Sequence, residues 1–569
     1  MIRIYPLLCI LLFSFGCAKD IEIFVPHPSD PNPNQGLVLS NLTGILANEN
    51  GDPIAGTDVF YGDGQTQTDE NGVFYFAKVA VPVGHAVLEL EVPGYFVSKP
   101  IIYAQEGSTA FIRVVLRERI QTGSFMADQS QQLSLSADLS IQIEGNSLVD
   151  PSGTNYPGDV AVFSSRYDPG SLNDVRQIPG SSIGIDATEK EVAMEALVAF
   201  VLEFDGSNGQ KLHSETDSDI LVDIQIPVLL QGEAPPETAL WYFDGSTGLW
   251  VEKGTAIRSG DLYSCLIDAP GTWAVAKPYD YIQIEGYSKD LEDRRFVHTG
   301  FSVQFPAGNY FTASYVDSKG AYQLRIPKGV DLQLNLLDDC DEEMYSTVLG
   351  GLAGNTVVPP MIVDMPEAYQ AWLRGVLVSC NEDPLDLGYV LLKNGIWTKP
   401  VLVDETGAFA SHVSACGAET FVLEGVSLNA PGANSLQISH PFILNMELGQ
   451  INVCEALPAS FAGFNVDGEP FLSTEASGIP QGNQTFISDS DGDIALLVPG
   501  ISTGLYSLDA GTFSIGPYSS DQIIESLVQV VFDSYGQSGE NIRGSVNGYF
   551  TDSDGNDHWV FGRFRALIP

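Results

Sequence analysis

The chain has 569 residues with 26 Lys or Arg against 73 Asp or Glu, which gives a formal net charge of −47 at pH 7; a surface this acidic repels phosphate backbones, so we expect no nucleic-acid partner. The length is too great for one hydrophobic core and predicts about four or five domains. The 57 glycines, with 10% aromatic and only 17% charged residues, favour turn-rich β-structure over charged amphipathic helices.

The N-terminal residues predict export and lipidation. Arg3 is followed by an apolar run over residues 4–15, which is too short to cross a bilayer as a helix. We therefore interpret residues 1–16 as a signal peptide. The segment Ser14-Phe15-Gly16-Cys17 resembles a lipobox, which implies that Cys17 carries acyl chains after cleavage. An ordinary secretory signal that ends near a cysteine is the alternative.

Residues 17–38 are expected to form a tether between the lipid and the first domain. Proline recurs over residues 26–33 too often for a helix or a central strand, so this part is predicted to be extended. Acyl chains at Cys17 would anchor the protein stably in the membrane, since each buried methylene contributes about 0.8 kcal/mol. Residues 18–22 resemble the export signals of Bacteroidota-type surface lipoproteins. That resemblance implies the cell surface of the outer membrane, and the periplasmic face stays open.

A turn followed by an alternating strand recurs three times in the interior. The turn at Asp69-Glu70-Asn71-Gly72 leads into the strand pattern Val73 to Phe76. The same spacing returns at residues 317–320 and at residues 404–407. Asp and Asn favour such turns, and glycine supplies the positive φ that a tight hairpin needs. Three copies indicate repeated modules.

These residues resemble the carboxypeptidase-regulatory-like family, a seven-stranded prealbumin-like β-sandwich that is common as a spacer in secreted bacterial proteins. The resemblance covers residues 39–118 best, and residues 279–365 and 368–456 more weakly. In the second copy the proline-turn element is degenerate, so the bounds of that copy are less well defined. It implies a fold and a role as a module. It brings no catalytic residues.

The remaining segments also have strand patterns. Residues 238–254 form a predicted hairpin with Trp241 and Trp250 on its two arms, and the chain from 535 to 566 alternates apolar with small or polar residues. The sequence therefore predicts an all-β protein of tandem β-sandwich domains, prealbumin-like or immunoglobulin-like, on an N-terminal lipid tether. The expected segments are a signal peptide over 1–16, a tether over 17–38, and domains over 39–120, 121–277, 278–366, 367–456 and 457–569.

We predict no catalytic residues. Ser182 and Ser502 each lie in a Gly-x-Ser-x-Gly pattern, but a nucleophile elbow needs a strand before the serine and a helix after it, and the flanking residues here are typical of strands and turns. The seven histidines are dispersed along the chain, so no base is expected beside either serine.

We also expect no metal and no cofactor. Residues 489–493 and 552–557 resemble calcium loops, but their glycine stands fourth rather than sixth, so hairpin turns are the preferred interpretation. Calcium binding at an acidic turn remains the alternative. The sequence has no His-Glu-x-x-His and no paired Cys-x-x-Cys pattern, which argues against zinc.

Five cysteines follow Cys17, and an exported protein meets an oxidising compartment. An odd number leaves at least one thiol free. Cys380, Cys416 and Cys454 fall in one predicted domain, where we expect a single disulfide of undetermined pairing. Buried free cysteines are the alternative.

The sequence thus favours a non-catalytic, lipid-anchored envelope protein that presents a binding or structural surface. A surface adhesin for a protein or glycan ligand is the main alternative, and it would need an exposed aromatic platform. A secreted hydrolase is the third. The aromatic candidates are Trp241, Trp250, Trp273 and Trp559; core packing is the expected role of the tryptophans in the second domain.

Overall fold

The structure is a computed structural model, and it describes residues 36–569 except 83–85, 216–218, 365–369, 380, 395–396, 419, 430–433, 436, 443–444, 454–459, 468, 474 and 491. The expected signal peptide, Cys17 and most of the tether therefore lie outside the described residues. Within the described residues, none of the helices is long and apolar enough to span a membrane.

Strands dominate every part of the chain that the structure describes, and the predicted all-β fold is confirmed. Within these residues the strands form hydrogen-bonded ladders in five groups, which we call modules 1 to 5. Module 1 contains β1 (Leu37–Ala47), β2 (Asp58–Tyr61), β3 (Gly64–Gln67), β4 (Val73–Pro82), β5 (Ala86–Val87), β6 (Glu89–Leu90), β7 (Ile101–Ile102) and β8 (Thr109–Val115).

Module 2 is built on one large, mainly antiparallel sheet with a core of its own. It contains β9 (Gln121–Met126), β10 (Gln131–Ser134), β11 (Leu139–Ile143), β12 (Leu148–Val149), β13 (Asp159–Tyr167), helix α1 (Leu172–Gln177), β14 (Ile183–Ile185), β15 (Glu191–Gly206), β16 (Lys211–Ser214), β17 (Ile220–Gln225), a 3-10 turn (Val228–Leu230), β18 (Glu237–Asp244), β19 (Leu249–Ser259), β20 (Leu262–Ile267) and β21 (Gly271–Tyr279).

Modules 3 and 4 each pair two small sheets face to face. Module 3 contains β22 (Tyr281–Asp290), β23 (Gly300–Gln304), β24 (Tyr310–Tyr315), β25 (Ala321–Pro327), β26 (Leu332–Leu337), β27 (Glu343–Leu349), β28 (Thr356–Val357) and β29 (Met361–Val363). Module 4 contains β30 (Gln370–Ser379), β31 (Gly388–Asn394), β32 (Trp397–Leu402), β33 (Ala408–Ser414), β34 (Thr420–Ser427), β35 (Ile438–Pro441) and β36 (Asn445–Val453).

Module 5 completes the chain with a second large sheet and a separate core. It contains β37 (Phe461–Val466), β38 (Glu469–Ser473), β39 (Ala476–Gln481), β40 (Gln484–Asp489), β41 (Ile494–Val498), β42 (Gly504–Leu508), β43 (Phe513–Ile515), β44 (Ile523–Ser526), β45 (Val528–Tyr535), β46 (Asn541–Asp552) and β47 (Asp557–Leu567).

Modules 1, 3 and 4 share one topology. In each, the first strand pairs antiparallel with the strand after the Asp-to-Gly turn and parallel with the C-terminal part of the module: β1 with β4 and β8, β22 with β25 and with β28 and β29, and β30 with β33 and β36. The second sheet packs across a core of apolar side chains from both sheets. The sequence repeat therefore corresponds to a structural repeat.

The three predicted turns also share one hydrogen-bond pattern. Asp69 Oδ1 accepts bonds from the backbone N–H groups of Asn71 at 2.9 Å and Val73 at 3.0 Å. Asp317 and Asp404 accept the equivalent pair of bonds at 2.8 to 3.1 Å. This local bond holds the hairpin and fixes where the next strand begins.

Modules 1 to 4 pack against each other as a cluster rather than as a string. β8 of module 1 contacts module 3, where Thr109 N–H donates to Ser318 Oγ at 2.8 Å. On its other face, module 1 shares an apolar cluster with module 4 that includes Ile45, Phe111 and Tyr389. Module 2 covers a third side of module 1, because Phe96 packs into the second core of module 2.

Candidate functional site at the junction of the modules

The hairpin loop between β26 and β27, residues 338–342, reaches from module 3 to two other modules, and we call it the junction loop. Asp338 Oδ1 accepts backbone bonds from Cys340 at 2.7 Å and Glu342 at 2.9 Å, the same pattern as in the repeated turns. With its own backbone held in this way, the loop directs Asp339, Cys340 and Asp341 outwards to three different partners.

Asp341 binds module 2 through Arg176 of α1. The two side chains form a bidentate pair with N–O distances of 2.7 Å and 2.7 Å, and the Arg176 side chain is only 5% exposed. Although burial would lower the pKa of Arg176, the nearby Tyr315 and the Asp341 carboxylate raise it above its ordinary value. α1 is also held from module 1, since Arg117 donates to Asp174 at 2.6 Å. The helix therefore joins three modules.

Asp339 binds module 4 through Lys399 of β32. Lys399 Nζ lies 2.8 Å from Asp339 Oδ1, and the Ser414 N–H donates to Asp339 Oδ2 at 2.8 Å. Lys399 Nζ also donates to the His412 carbonyl. Burial alone would raise the pKa of Asp339, but the charge of Lys399 outweighs it and holds the pKa below its usual value. The pair is buried and each of its groups makes a further hydrogen bond, which is the condition under which an ion pair can stabilise an interface.

Cys340 forms a disulfide with Cys416, so a covalent bond joins the junction loop to module 4. Of the pairings that the sequence left open among Cys380, Cys416 and Cys454, this bond rules out those that use Cys416. The fold brings the loop of one sandwich against a strand end of the next, which spacing along the chain does not reveal. Cys380 and Cys454 lie outside the described residues. Cys265 is buried as a free thiol, and burial raises its pKa to about 12.

Two histidines from separate modules lie in the interface between modules 3 and 4. His298 Nδ1 lies 3.2 Å from the Pro400 carbonyl, and burial lowers its pKa to about 4. His412 packs on the rings of Phe296 and Trp372, and burial lowers its pKa to about 3. Both are neutral at pH 7 and act as packing groups.

Module 1 closes the junction with β8. Phe111 stacks on the His298 ring with centroids 4.9 Å apart. Arg113 lies over the Trp397 ring of module 4, with its guanidinium carbon 4.6 Å from the ring centroid. Four modules therefore contribute side chains to one buried region.

The two serines in Gly-x-Ser-x-Gly patterns, which the sequence analysis did not assign a catalytic role, lie in different local settings. Ser182 Oγ donates to the Phe311 carbonyl, and Ser502 Oγ lies 3.2 Å from Tyr506 Oη. Among the described residues, neither hydroxyl is hydrogen-bonded to a histidine. The segment after Ser182 is the strand β14 and the segment after Ser502 leads into the strand β42, so neither serine has the helix that an elbow requires.

The tryptophans divide into two groups. Trp241, Trp250 and Trp273 are 0 to 1% exposed, so the expectation that they fill a core is confirmed. Trp559 on β47 is 42% exposed and lies 5.2 Å, between ring centroids, from Tyr549 on the neighbouring β46. This pair is the one aromatic platform among the four predicted candidates.

The two acidic turns form hairpins, as predicted. Asp489 Oδ1 accepts from the N–H groups of Gly492 and Ile494, at 3.0 Å and 3.1 Å. Asp552 Oδ1 accepts from Asp554 and Asn556, and its other oxygen lies 3.0 Å from His558 Nε2. Both oxygens of Asp552 are therefore hydrogen-bonded within the protein, whereas the buried Oδ2 of Asp489 has no hydrogen-bond partner.

Sequence reasoning missed the junction residues Arg113, Arg176, Asp339, Asp341 and Lys399. The run Asp338-Asp339-Cys340-Asp341-Glu342-Glu343 was the available signal, because a block of carboxylates around a cysteine in a tight hairpin needs cationic partners. Which of the 26 basic residues supply them depends on the packing of distant segments.

No family model matches the chain and no curated protein matches it. Solved structures with some likeness include the shaft pilin SpaA of Lactobacillus rhamnosus GG, at 9% identity and TM-score 0.17, covering 31% of this chain and 98% of the pilin. The TIE protein of Bacillus anthracis has 9% identity and TM-score 0.14, with 72% of each chain covered. The major pilin subunit BcpA of Bacillus cereus has 10% identity and TM-score 0.12, covering 73% and 99%. At these TM-scores the likeness carries no weight for function.

Proposed function

We propose that the protein is a non-catalytic, lipid-anchored component of the cell envelope, whose modules form a scaffold that presents a binding or structural surface. One observation carries this proposal: the junction loop ties module 3 to modules 2 and 4 through two buried ion pairs and a disulfide. Domains joined only by linkers move relative to each other, whereas these cross-links hold them in a fixed arrangement. A fixed arrangement is what a scaffold needs.

The location follows from the sequence. The lipobox-like residues 14–17 support lipidation at Cys17, and the charged residues after Cys17 support the cell surface of the outer membrane. The repeated topology of modules 1, 3 and 4 supports their resemblance to carboxypeptidase-regulatory-like domains, which serve as modules. The membrane is thus one partner, and the ligand of the scaffold is a protein or a glycan.

Replacement of Cys17 tests the anchor. Cys17→Ala is expected to abolish palmitate labelling and to release the chain from membranes, because the acyl chains are attached at that sulfur. Cys9→Ala is the matched control, since Cys9 lies in the expected signal peptide and its loss should change neither result. Recovery of the Cys17→Ala protein in the outer-membrane fraction at the wild-type level would contradict the proposal.

Glycan or protein adhesion at module 5 is the second candidate function, and the half-exposed ring of Trp559 beside Tyr549 favours it. Aromatic faces of this kind stack on sugar rings and peptide side chains. Trp559→Ala should then reduce binding of the full chain to a glycan array or to host cells, while Trp250→Phe, in a buried core, should leave it unchanged. Equal binding by both variants would remove this candidate.

A further inference from the structure

The strongest unexplained feature of the molecule is a cavity of about 70 Å³ between modules 1, 2 and 3. It is lined by side chains from β8, from α1 and the loop after it, and from β24. At about 30 Å³ for each water molecule in the liquid, it has room for about two waters or one small ion. It is too small for a sugar or a peptide side chain with its backbone.

Hydrogen-bond donors without partners surround this cavity. Arg113 is 9% exposed, and it forms no ion pair within the part of the chain that the structure describes. Its Nε has no hydrogen-bond partner. Arg176 Nε and Ser181 Oγ line the same cavity, are buried, and also lack partners. Buried donors left unsatisfied are costly, so three around one cavity indicate an acceptor between them.

Among the described residues of the junction, Arg113 is the cation without a direct ion pair, although Asp339 and Asp341 lie close enough to act on its charge. Asp341 is occupied by both Nη groups of Arg176, and Asp339 is occupied by Lys399 and a backbone N–H. Asp338 accepts its bonds within the junction loop. Arg113 is left with the Trp397 ring, which compensates a guanidinium charge only in part. An isolated buried charge is strongly unfavourable unless it is paired.

We propose that this cavity binds one small oxyanion, of the phosphate, sulfate or carboxylate type, between Arg113, Arg176 and Ser181. The geometry of a guanidinium group matches that of such anions. The cavity has unpartnered hydrogen-bond donors, and an anion accepts hydrogen bonds from them more strongly than water or a neutral ligand does. The bound anion neutralises Arg113 and bridges modules 1 and 2. This site goes beyond the proposed scaffold function, and the scaffold could exist without it.

Equilibrium dialysis of the purified full chain with labelled phosphate, at constant ionic strength in chloride, tests the proposal. The wild type is expected to bind one phosphate per chain. Competition by sulfate identifies a site for tetrahedral oxyanions, and stronger competition by acetate identifies a carboxylate site. Absence of saturable binding for all three anions would overturn the proposal.

Variants locate the site. Arg113→Gln is expected to weaken binding about tenfold or more, since it removes a charged donor. Arg374→Gln is the control, because Arg374 is an exposed arginine that does not line the cavity and whose ion pair with Glu447 is solvated. If Arg113→Gln does not fold, Ser181→Ala removes another unpartnered donor and should also weaken binding. Equal binding by wild type and the folded cavity variant, or an equal loss in Arg374→Gln, would overturn the proposal.

A thermal shift distinguishes this result from general salt effects. Oxyanions at high concentration stabilise most proteins through exclusion from the surface. Site binding instead raises the unfolding temperature at low millimolar concentration and saturates. We expect saturation in the wild type and in Arg374→Gln, and no response in Arg113→Gln. Membrane release by Cys17→Ala is unaffected by either outcome, so failure of this proposal and failure of the scaffold proposal can be told apart.

Discussion

At the scale of single residues, the glycines of the repeated turns show why the sequence pattern is strict. Gly72, Gly320 and Gly407 have φ values of +73°, +68° and +74°. A Cβ added at Gly407 would lie 2.5 Å from the carbonyl oxygen of Leu377, in the first strand of module 4. The position therefore requires glycine both for its backbone conformation and for the close approach of another strand.

Gly407→Ala is expected to destabilise module 4 by about 2 to 5 kcal/mol, the sum of a left-handed backbone penalty and a backbone clash. Gly417→Ala is the matched control: Gly417 has φ +76°, but no atom lies within 4 Å of an added Cβ. The Gly417→Ala variant should lose about 1 to 2 kcal/mol of unfolding free energy, from the backbone penalty alone. Chemical unfolding of the two variants measures the difference, and equal losses would show that the close contact is not formed.

His558 is the residue with the clearest pH dependence. Its Nδ1 lies 2.6 Å from Asp467 and its Nε2 lies 3.0 Å from Asp552, and Tyr518 stacks against the ring. Burial alone would lower the pKa of His558, but the two carboxylates outweigh it and raise the pKa above 6.5. Hydrogen bonds from the Asn556 backbone and from His558 lower the pKa of Asp552 to about 2.

The stabilisation of module 5 by this cluster should therefore be strongest between about pH 4 and pH 6.5. A raised histidine pKa stabilises the fold below 6.5, and this contribution is lost as the pH rises through the folded-state pKa. The lowered pKa of Asp552 stabilises the fold above 3.8, and this contribution is lost as the pH falls towards 2. NMR titration of labelled histidines should place His558 above 6.5 and His298 near 4. A His558 resonance that titrates below 6.5 would contradict the cluster.

At the scale of secondary-structure elements, register decides which cysteines can meet. Ser379 at the end of β30 pairs with Val453 at the end of β36 in a parallel ladder. In the sequence, Cys380 follows Ser379 and Cys454 follows Val453. Because Cys416 is bonded to Cys340, Cys380 with Cys454 is the one pair left of those that the sequence allows within this domain.

Peptide mapping without reduction is expected to recover two linked pairs, Cys340 with Cys416 and Cys380 with Cys454. Cys265 should be alkylated only after unfolding, because it is buried as a thiol of high pKa. Recovery of Cys416 linked to Cys380 or to Cys454 would contradict the junction between modules 3 and 4. Full alkylation of Cys380 and Cys454 in the native protein would contradict the second pair.

At the scale of the whole molecule, the clustered arrangement of the modules has a direct measurement. A compact protein of this length has a radius of gyration of about 25 Å, whereas five modules end to end would reach about 50 Å. Small-angle scattering of the full chain should give a radius of gyration nearer about 25 Å. A value near the second would contradict the contacts of module 1 with modules 2, 3 and 4.

Asp341→Asn should loosen this arrangement, because it leaves the Arg176 charge buried without its counterion, at a cost of about 3 to 5 kcal/mol. Glu447→Gln removes the partner of Arg374 from an exposed pair and should cost less than about 1 kcal/mol. Thermal unfolding of both variants measures the contrast, and scattering shows whether modules 2 and 3 separate. Equal unfolding temperatures for the two variants would argue against a stabilising role of the Arg176–Asp341 pair.

The sequence by itself determined the features that depend on neighbouring residues. Alternating apolar residues predicted the strands, and the Asp-to-Gly spacing at Asp69, Asp317 and Asp404 predicted three equivalent hairpins, since the bond from each carboxylate closes within four residues. The sequence also predicted buried tryptophans in module 2, because large apolar side chains beside a hairpin turn pack into a sheet face.

Only the tertiary structure decided which modules meet and through which side chains. Arg176 and Asp341 are 165 residues apart, and Cys340 and Cys416 are 76 apart, so no local pattern links them. The pairing follows from the packing of whole sandwiches, which is set by the fit of many weak contacts over extended surfaces. The sequence therefore specified the modules, and the packing of their surfaces specified the junction.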